Sequence, residues 1–508
     1  MNTDGNQRFD PVTGPVVPVF FHYAVPSVLG MLAATSAGVI DGIFIGNFVG
    51  SEALAAVNIA LPVWAAFSAI VFMLAVGGSV VCGKFLGEGN RQAASDVFTR
   101  TMIATLGLGV LLSGGCLLFL EEVVRLLGAN AEIAPMVTRY MRIILWFAPL
   151  LIAGLTLYYF VRVDGRPVLA AVGLVGFSVA NIALNALFII GLGWGIEGAA
   201  WASALADVFI FAILITHLFH RRCNLRPVRV DRRWGVILRA AWNGFSEFTN
   251  ELSIGLVVLL FNWVMITRLG VAGVAAYTII GYLVMLGLEV CYGISESLQP
   301  TVSKNLGARQ PARIRQYLLL GLSSALAVGL TASALFVFVP EAMVGLFLGE
   351  AEGETLSIAL EFIAWFWPAF LFNGMNLTLA SYFTALHRPV PSAAIALSRS
   401  LVLPAAGLLL LPIWLDDLGI FLAIPIAEAV TFAFALALVL RLPPTIGPPA
   451  PGREAGLPKG PEAGDDESSH TAEGDRHAHG FGDLVPETGQ DRGRAVGAPG
   501  TRGHGARE

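Results

Sequence analysis

Asp41 stands in the stretch GVIDGIFIG, residues 38–46, as the one acid inside an apolar run. An unpaired charge in hydrocarbon is costly, so such a residue is paired, neutralised by a proton or turned toward a wet cavity. Gly42 and Gly46 beside it have the Gly-x-x-x-Gly spacing that lets another helix backbone come close. That spacing predicts a tight, partly dry pocket, in which a carboxyl can take up and release a proton near neutral pH. The bland alternative is an acid capped by a neighbouring hydroxyl. Intramembrane acids are functional by default, which favours the first reading.

Other polar residues share helix faces. In ANIALNALF, Asn181 and Asn185 lie four apart and so on one side of a helix. Amides in membrane helices often only join helices, and Ser203, in GAAWASALAD, reads as packing on a small-residue face. In NGFSEFTNELS, Glu247 and Glu251 are again four apart, with Asn250 beside them. Two like charges on one face repel, so at least one is expected to hold a proton or a cation. Solvation near the membrane surface is the alternative for that pair. Glu289, in LGLEVCYG, is mid-helix and joins the candidates. Aromatic residues such as Trp64, Tyr158, Tyr159, Tyr277 and Tyr292 mostly suit packing or a lipid belt, and a few beside carboxylates would suit flat organic cations.

The elements that position these residues are membrane helices. Apolar residues are 56% of the 508 and charged residues 13%, about half the usual soluble share. Apolar runs long enough to cross a bilayer recur twelve times, near 18–46, 54–82, 97–120, 136–161, 167–192, 195–219, 236–267, 273–303, 316–340, 357–386, 390–415 and 418–441. The first is too long for a signal peptide and reads as a retained helix containing Pro26. Sixteen basic residues, among them Lys84, Arg100, Arg162, Arg221 and Lys304, follow the even-numbered runs, whereas Arg125 and Arg268 alone occupy the alternate loops. That bias places both termini in the cytoplasm; the expected location is a bacterial inner membrane.

The formal net charge of −5 is sorted by membrane side and leaves no nucleic-acid footprint. Cys82, Cys116, Cys223 and Cys291 lack Cys or His at ligand spacing, so neither a disulfide nor a metal site is expected. From Pro443 onward Gly, Pro and charged residues dominate, a composition that predicts a disordered tail whose DRHAHG would bind metal only adventitiously.

The chain also repeats itself. Gly50, Ala55, Ala56 and Ile59 return as Gly270, Ala275, Ala276 and Ile279, and Lys84, Leu86 and Gly87 return as Lys304, Leu306 and Gly307, all 220 residues later. WFAP at 146–149 answers WFWP at 365–368, and Asp207 answers Glu428. Six helices per repeat place both halves in the same orientation. The expected fold is an all-α integral membrane protein of twelve transmembrane helices in two six-helix bundles, related by a pseudo-two-fold axis along the membrane normal. Its expected parts are a short N-terminus at 1–14, bundles at 15–220 and 236–442, a basic connector at 221–235 and the tail at 443–508. A solute cavity is expected between the bundles, opened to either side by rocking.

The stretches VIDGIFIGNFVGSEALAA, NIALNALFIIGLGWGIEGAAWASALAD and GIFLAIPIAEA, in this order, resemble the multidrug and toxic compound extrusion family, and GFSEFTNELS is similar to its Staphylococcus-type branch. The resemblance covers nearly all of Pro15 to Arg441. It implies a two-bundle exporter of amphipathic compounds driven by inward protons or sodium ions. Position by position, Asp41 matches the family's first-helix acid and Asn181 its fifth-helix asparagine, while Ser203 stands where threonine is usual. Asn185 departs from the pattern, since many members carry aspartate there. Loss of that carboxylate argues against a sodium site of the usual charge and toward a proton.

The expected function is therefore efflux of amphipathic, cationic organic compounds by proton (or sodium) antiport, from a monomer without a cofactor. Its partners are the small organic substrate and membrane lipid. A flippase of lipid-linked saccharides would need cations in the cavity, and Arg139 and Arg142 near a helix end are the best on offer. A membrane-embedded enzyme would need clustered His or paired aspartates, and a channel would not move solute uphill.

Overall fold

The computed structural model describes residues 8–221, 223–232, 234–345 and 353–444. The tail predicted from residue 443 lies outside this range beyond 444. Six candidate spans lie in the first half: α1 Val16–Val49, α2 Ser51–Gly87, α3 Arg91–Leu118, α4 Ala134–Val163, α5 Pro167–Gly191 and α6 Gly195–Phe219. The second half opens with one run of 63 helical residues, Phe245–Gly307. A straight rod of that length would measure roughly 95 Å, about three times the hydrocarbon thickness. Gly270 breaks it with φ 64° and ψ −158°, a conformation that disfavours a Cβ. The two parts are α7 (245–269) and α8 (271–307). They are followed by α9 Pro311–Phe338, α10 (Gly353–Phe366 and Pro368–Ala385, bent by 56°), α11 Pro389–Leu415 and α12 Asp417–Arg441. Among the described residues, ten helices meet the length and apolarity of a span outright, the bent pair makes an eleventh, and the break at Gly270 restores the expected twelfth.

The repeat is visible in the backbone. Gly50, the break between α1 and α2, has φ 124°, and its counterpart 220 residues on is Gly270. Gly89, Gly165 and Gly195 also have positive φ, and Arg309, His387 and Asp416 take up the same left-handed conformation in the second half. The second bundle keeps these turns without keeping their glycines.

One boundary differs from expectation. The helix expected from 236 to 267 is split: Gly235–Asn243 forms a short helix, and α7 begins after Gly244. Gly244, at the split, packs against α2: a Cβ there would lie 2.0 Å from the Met73 carbonyl oxygen, so the position takes glycine.

Close contact between the halves is concentrated at the end that carries the basic loops. A Cβ on Gly87 would lie 2.0 Å from the Lys304 carbonyl oxygen, and one on Gly307 would lie 2.0 Å from that of Lys84. These are the same contact made twice, once from each repeat. Gly83 meets Ser303, and Gly293 meets the Val28 backbone, so α2 and α1 both press on α8. Toward the other end, Leu61, Trp64, Tyr282 and Leu286 are exposed. Gly42 and Gly46 do not serve the helix contact expected of them, since a Cβ there would meet only Leu54 side-chain atoms at 4.0 and 3.6 Å.

Three residues counted as loop cations are buried at this end: Arg100, Arg162 and Lys304. Arg100 bonds Asp96 and Asp231, holding the connector to α3. The connector is held a second time by Asp164, just past α4, which accepts from Asn224 N at 3.0 Å and Nδ2 at 2.8 Å and meets His217 Nε2 at 2.7 Å. Burial alone would raise the Asp164 carboxyl, but bonds from His217 and Asn224 outweigh it and hold it below the ordinary value. With Cys223 these groups have ligand atoms within 4.8 Å of one another, a trio able to hold a metal ion that spacing along the chain did not reveal. Asp164 spends its lone pairs on the connector, and we read the trio as an anchor.

Candidate functional site

Four of the candidates form one chain of hydrogen bonds inside the first bundle. Asn185 Nδ2 donates to Asp41 Oδ1 at 2.7 Å and approaches Asn181 Oδ1 at 3.2 Å, and Asn181 Nδ2 donates to Ser203 Oγ at 3.2 Å. Helices α1, α5 and α6 thus meet through polar groups. Widened π turns follow Asp41 at Ile45–Val49 and Asn185 at Ala186–Gly191, an irregularity frequent at functional positions. Asn185 Oδ1 is buried without a partner, leaving a free acceptor beside the carboxylate. Asp41 is not the sole acid in this bundle. Asp207 of α6 is 7% exposed, and Tyr140 lies within electrostatic reach of both. Its match to Glu428 in the repeat was the sequence signal for it.

The second group faces the seam. Glu247 and Glu251 on α7 and Glu289 on α8 are half-buried. Glu247 and Glu289 are each within electrostatic reach of Glu251 and of Glu296, and Glu289 also meets Thr35 of α1 in the first bundle. The pair expected from spacing is therefore part of a larger acidic surface. Glu296, which sequence reasoning did not single out, is bound by Arg162 Nη1 at 2.6 Å and receives the hydroxyls of Tyr158 at 3.2 Å and Tyr159 at 3.0 Å.

Asn250 belongs elsewhere. It bonds Tyr292, Ser400 and Arg399. Arg399 in turn contacts Glu428 at 3.3 Å, and Glu428 accepts from Asn373 at 2.8 Å and Asn376 at 2.7 Å. This network borders a cavity of about 230 Å³ in the second bundle, with Tyr277, Tyr292 and Phe370 among its walls. Two arginines, Arg162 and Arg399, are buried among these acids. Each is matched by a glutamate, which leaves neither guanidinium free for pyrophosphate. Arg139, the cation considered for that role, is exposed and pairs with Glu197.

With this geometry established, comparison with known proteins is informative. The MatE family model matches residues 26–187 and 252–407, one segment in each bundle. A relative from Shewanella oneidensis described as a FAD transporter is 28% identical over 434 residues, covering 83% of this chain and 94% of its own. The multidrug export protein MepA of Staphylococcus saprophyticus is 24% identical over 56% of this chain and 63% of its own. Among solved structures, a MATE protein in complex with MaL6 superposes with a TM-score of 0.81 at 22% identity, covering 87% of this chain and 100% of that one. A MOP superfamily transporter from Pyrococcus furiosus gives 0.79, also at 22% identity, over 87% and 98%. The two-bundle, twelve-helix fold is common to them, and the chain belongs to the MatE family of multidrug and toxic compound extrusion transporters.

Proposed function

We propose that this transporter exports amphipathic organic cations in exchange for inward-moving protons, with its basic loops in the cytoplasm of a bacterial inner membrane. The carrying observation is the acidic surface at the seam, where Glu247, Glu251 and Glu289 lie half-buried and Glu247 and Glu289 are within electrostatic reach of Glu296. A desolvated carboxylate surface attracts cations and rejects anions. Close packing of the two halves at the basic-loop end corresponds to a state shut on that side.

Proton coupling falls to Asp41. Ionised, it accepts from Asn185 Nδ2. Once protonated it becomes a donor, and rotation of the Asn185 amide presents the unpartnered Oδ1 as its acceptor. One amide thus serves both states of the acid. A sodium ion would find several neutral oxygens here and a single adjacent carboxylate.

A second reading comes from the Shewanella relative, which is described as a FAD transporter and is matched along 94% of its length. A flavin dinucleotide is aromatic and anionic, and in the cavity beside Tyr277 and Tyr292 its pyrophosphate would have to displace Glu428 from Arg399. Uptake into everted vesicles decides between the two. A lipophilic cationic dye, its neutral isostere and flavin adenine dinucleotide are presented separately under an imposed pH gradient. Concentrative uptake of the cation supports export of cations, whereas uptake of the dinucleotide alone contradicts it.

A further inference from the structure

We propose that Glu296 is a binding carboxylate for the transported cation, and that Arg162 occupies it as an internal substitute while the basic-loop end is shut. This rests on the cation-export reading and adds to it a residue and an exchange of partners.

The two residues belong to opposite halves: Arg162 is on α4 and Glu296 on α8. The guanidinium reaches the Glu296 carboxylate through Nη1 and its backbone carbonyl through Nη2, each at 2.6 Å. It lies 5.0 Å from the Tyr158 ring centre and 5.6 Å from that of Tyr159. Arg162 is 2% exposed and Glu296 8%. A flat, delocalised cation between aromatic faces and a carboxylate has the chemistry of an organic cation in a transport site. Here the protein supplies that cation itself.

A buried ion pair is weak grounds for stability, since an apolar pair of the same volume often serves as well. Its value as a switch is greater. Opening of the basic-loop end separates α4 from α8, and Arg162 leaves together with Tyr158 and Tyr159, which share its helix. Glu296 stays behind with Glu247, Glu251 and Glu289 on its own bundle. Four carboxylates then face the newly opened side, and the solute's positive charge takes the position Arg162 has left. Closure in the absence of solute returns the guanidinium. The fit of Arg162 is imperfect, as its Nε is buried without a partner, so the contact is poised for exchange.

The test uses the full chain in detergent, with the four native cysteines replaced and Ser303→Cys introduced. Ser303 is fully buried where α8 meets Gly83, and its Oγ makes no hydrogen bond, so the thiol reports opening of this seam. Maleimide labelling and tetraphenylphosphonium binding are measured together. Arg162→Gln is expected to raise the labelling rate about tenfold without ligand, because one partner of a buried charge pair is gone. Arg162→Lys, which keeps the charge, should stay close to the parent. Glu296→Gln should also label fast, and should weaken tetraphenylphosphonium binding about tenfold while leaving a neutral isostere unaffected. Slow labelling in Arg162→Gln, or parental affinity in Glu296→Gln, overturns the proposal while leaving cation export standing. A parent that binds the dinucleotide but no tetraphenylphosphonium overturns the cation reading itself, and the role of Glu296 with it.

Discussion

Asp41 shows what a single residue discloses through its sequence neighbours and what it conceals. Its depth in an apolar run marks it as a candidate, and the four-residue spacing of Asn181 and Asn185 puts both amides on one face, as the structure has them. The glycine spacing beside it was misleading, because Gly42 and Gly46 do not meet another helix backbone. Arg162 and Glu296 were illegible for a different reason: they are 134 positions apart, and a cation at a helix end looks like any loop charge. Asp41→Asn should insert and fold normally yet lose concentrative export, as measured by dye accumulation in everted vesicles. Replacing Glu247 or Glu251 with glutamine should reduce export of cationic dyes more than export of neutral ones. Equal losses for the two classes would remove these acids from substrate recognition.

At the scale of elements, apolar run length and the 220-residue repeat were enough to place the helices, since each half needs the same turns. The split at Gly244 was not legible, because no proline marks it and the Met73 backbone packed against it belongs to another helix. The paired contacts of Gly87 and Gly307 carry an expectation of their own. Adding one methyl at either position overpacks the seam, at a cost of about 1–3 kcal/mol. Gly87→Ala and Gly307→Ala should therefore favour the state open at the basic-loop end, raising maleimide labelling of Ser303→Cys roughly fivefold or more. Unchanged labelling in both would mean that the seam yields elsewhere. Asp164→Asn removes the charged acceptor that holds the connector and should lower thermal stability by about 1.5–3 kcal/mol, with Cys223 becoming more reactive toward thiol reagents.

For the whole molecule, two bundles joined by a tethered connector and pressed together at the basic-loop end suit the alternating access proposed above. The chain beyond the last helix has one described tie, where Arg388 donates to the carbonyls of Leu442 and Pro443. Truncation after Pro444 should keep that tie and leave transport intact, while failure of a normally inserted truncated protein would assign the tail a role. The most direct test of proton-driven cation export is uptake of a cationic dye into everted vesicles, acid inside, in sodium-free buffer, for the parent and for Asp41→Asn. Uptake that needs the pH gradient, proceeds without sodium and is abolished by Asp41→Asn is the expected result. Uptake that requires sodium and ignores the pH gradient, or that continues at the parental rate in Asp41→Asn, would contradict it.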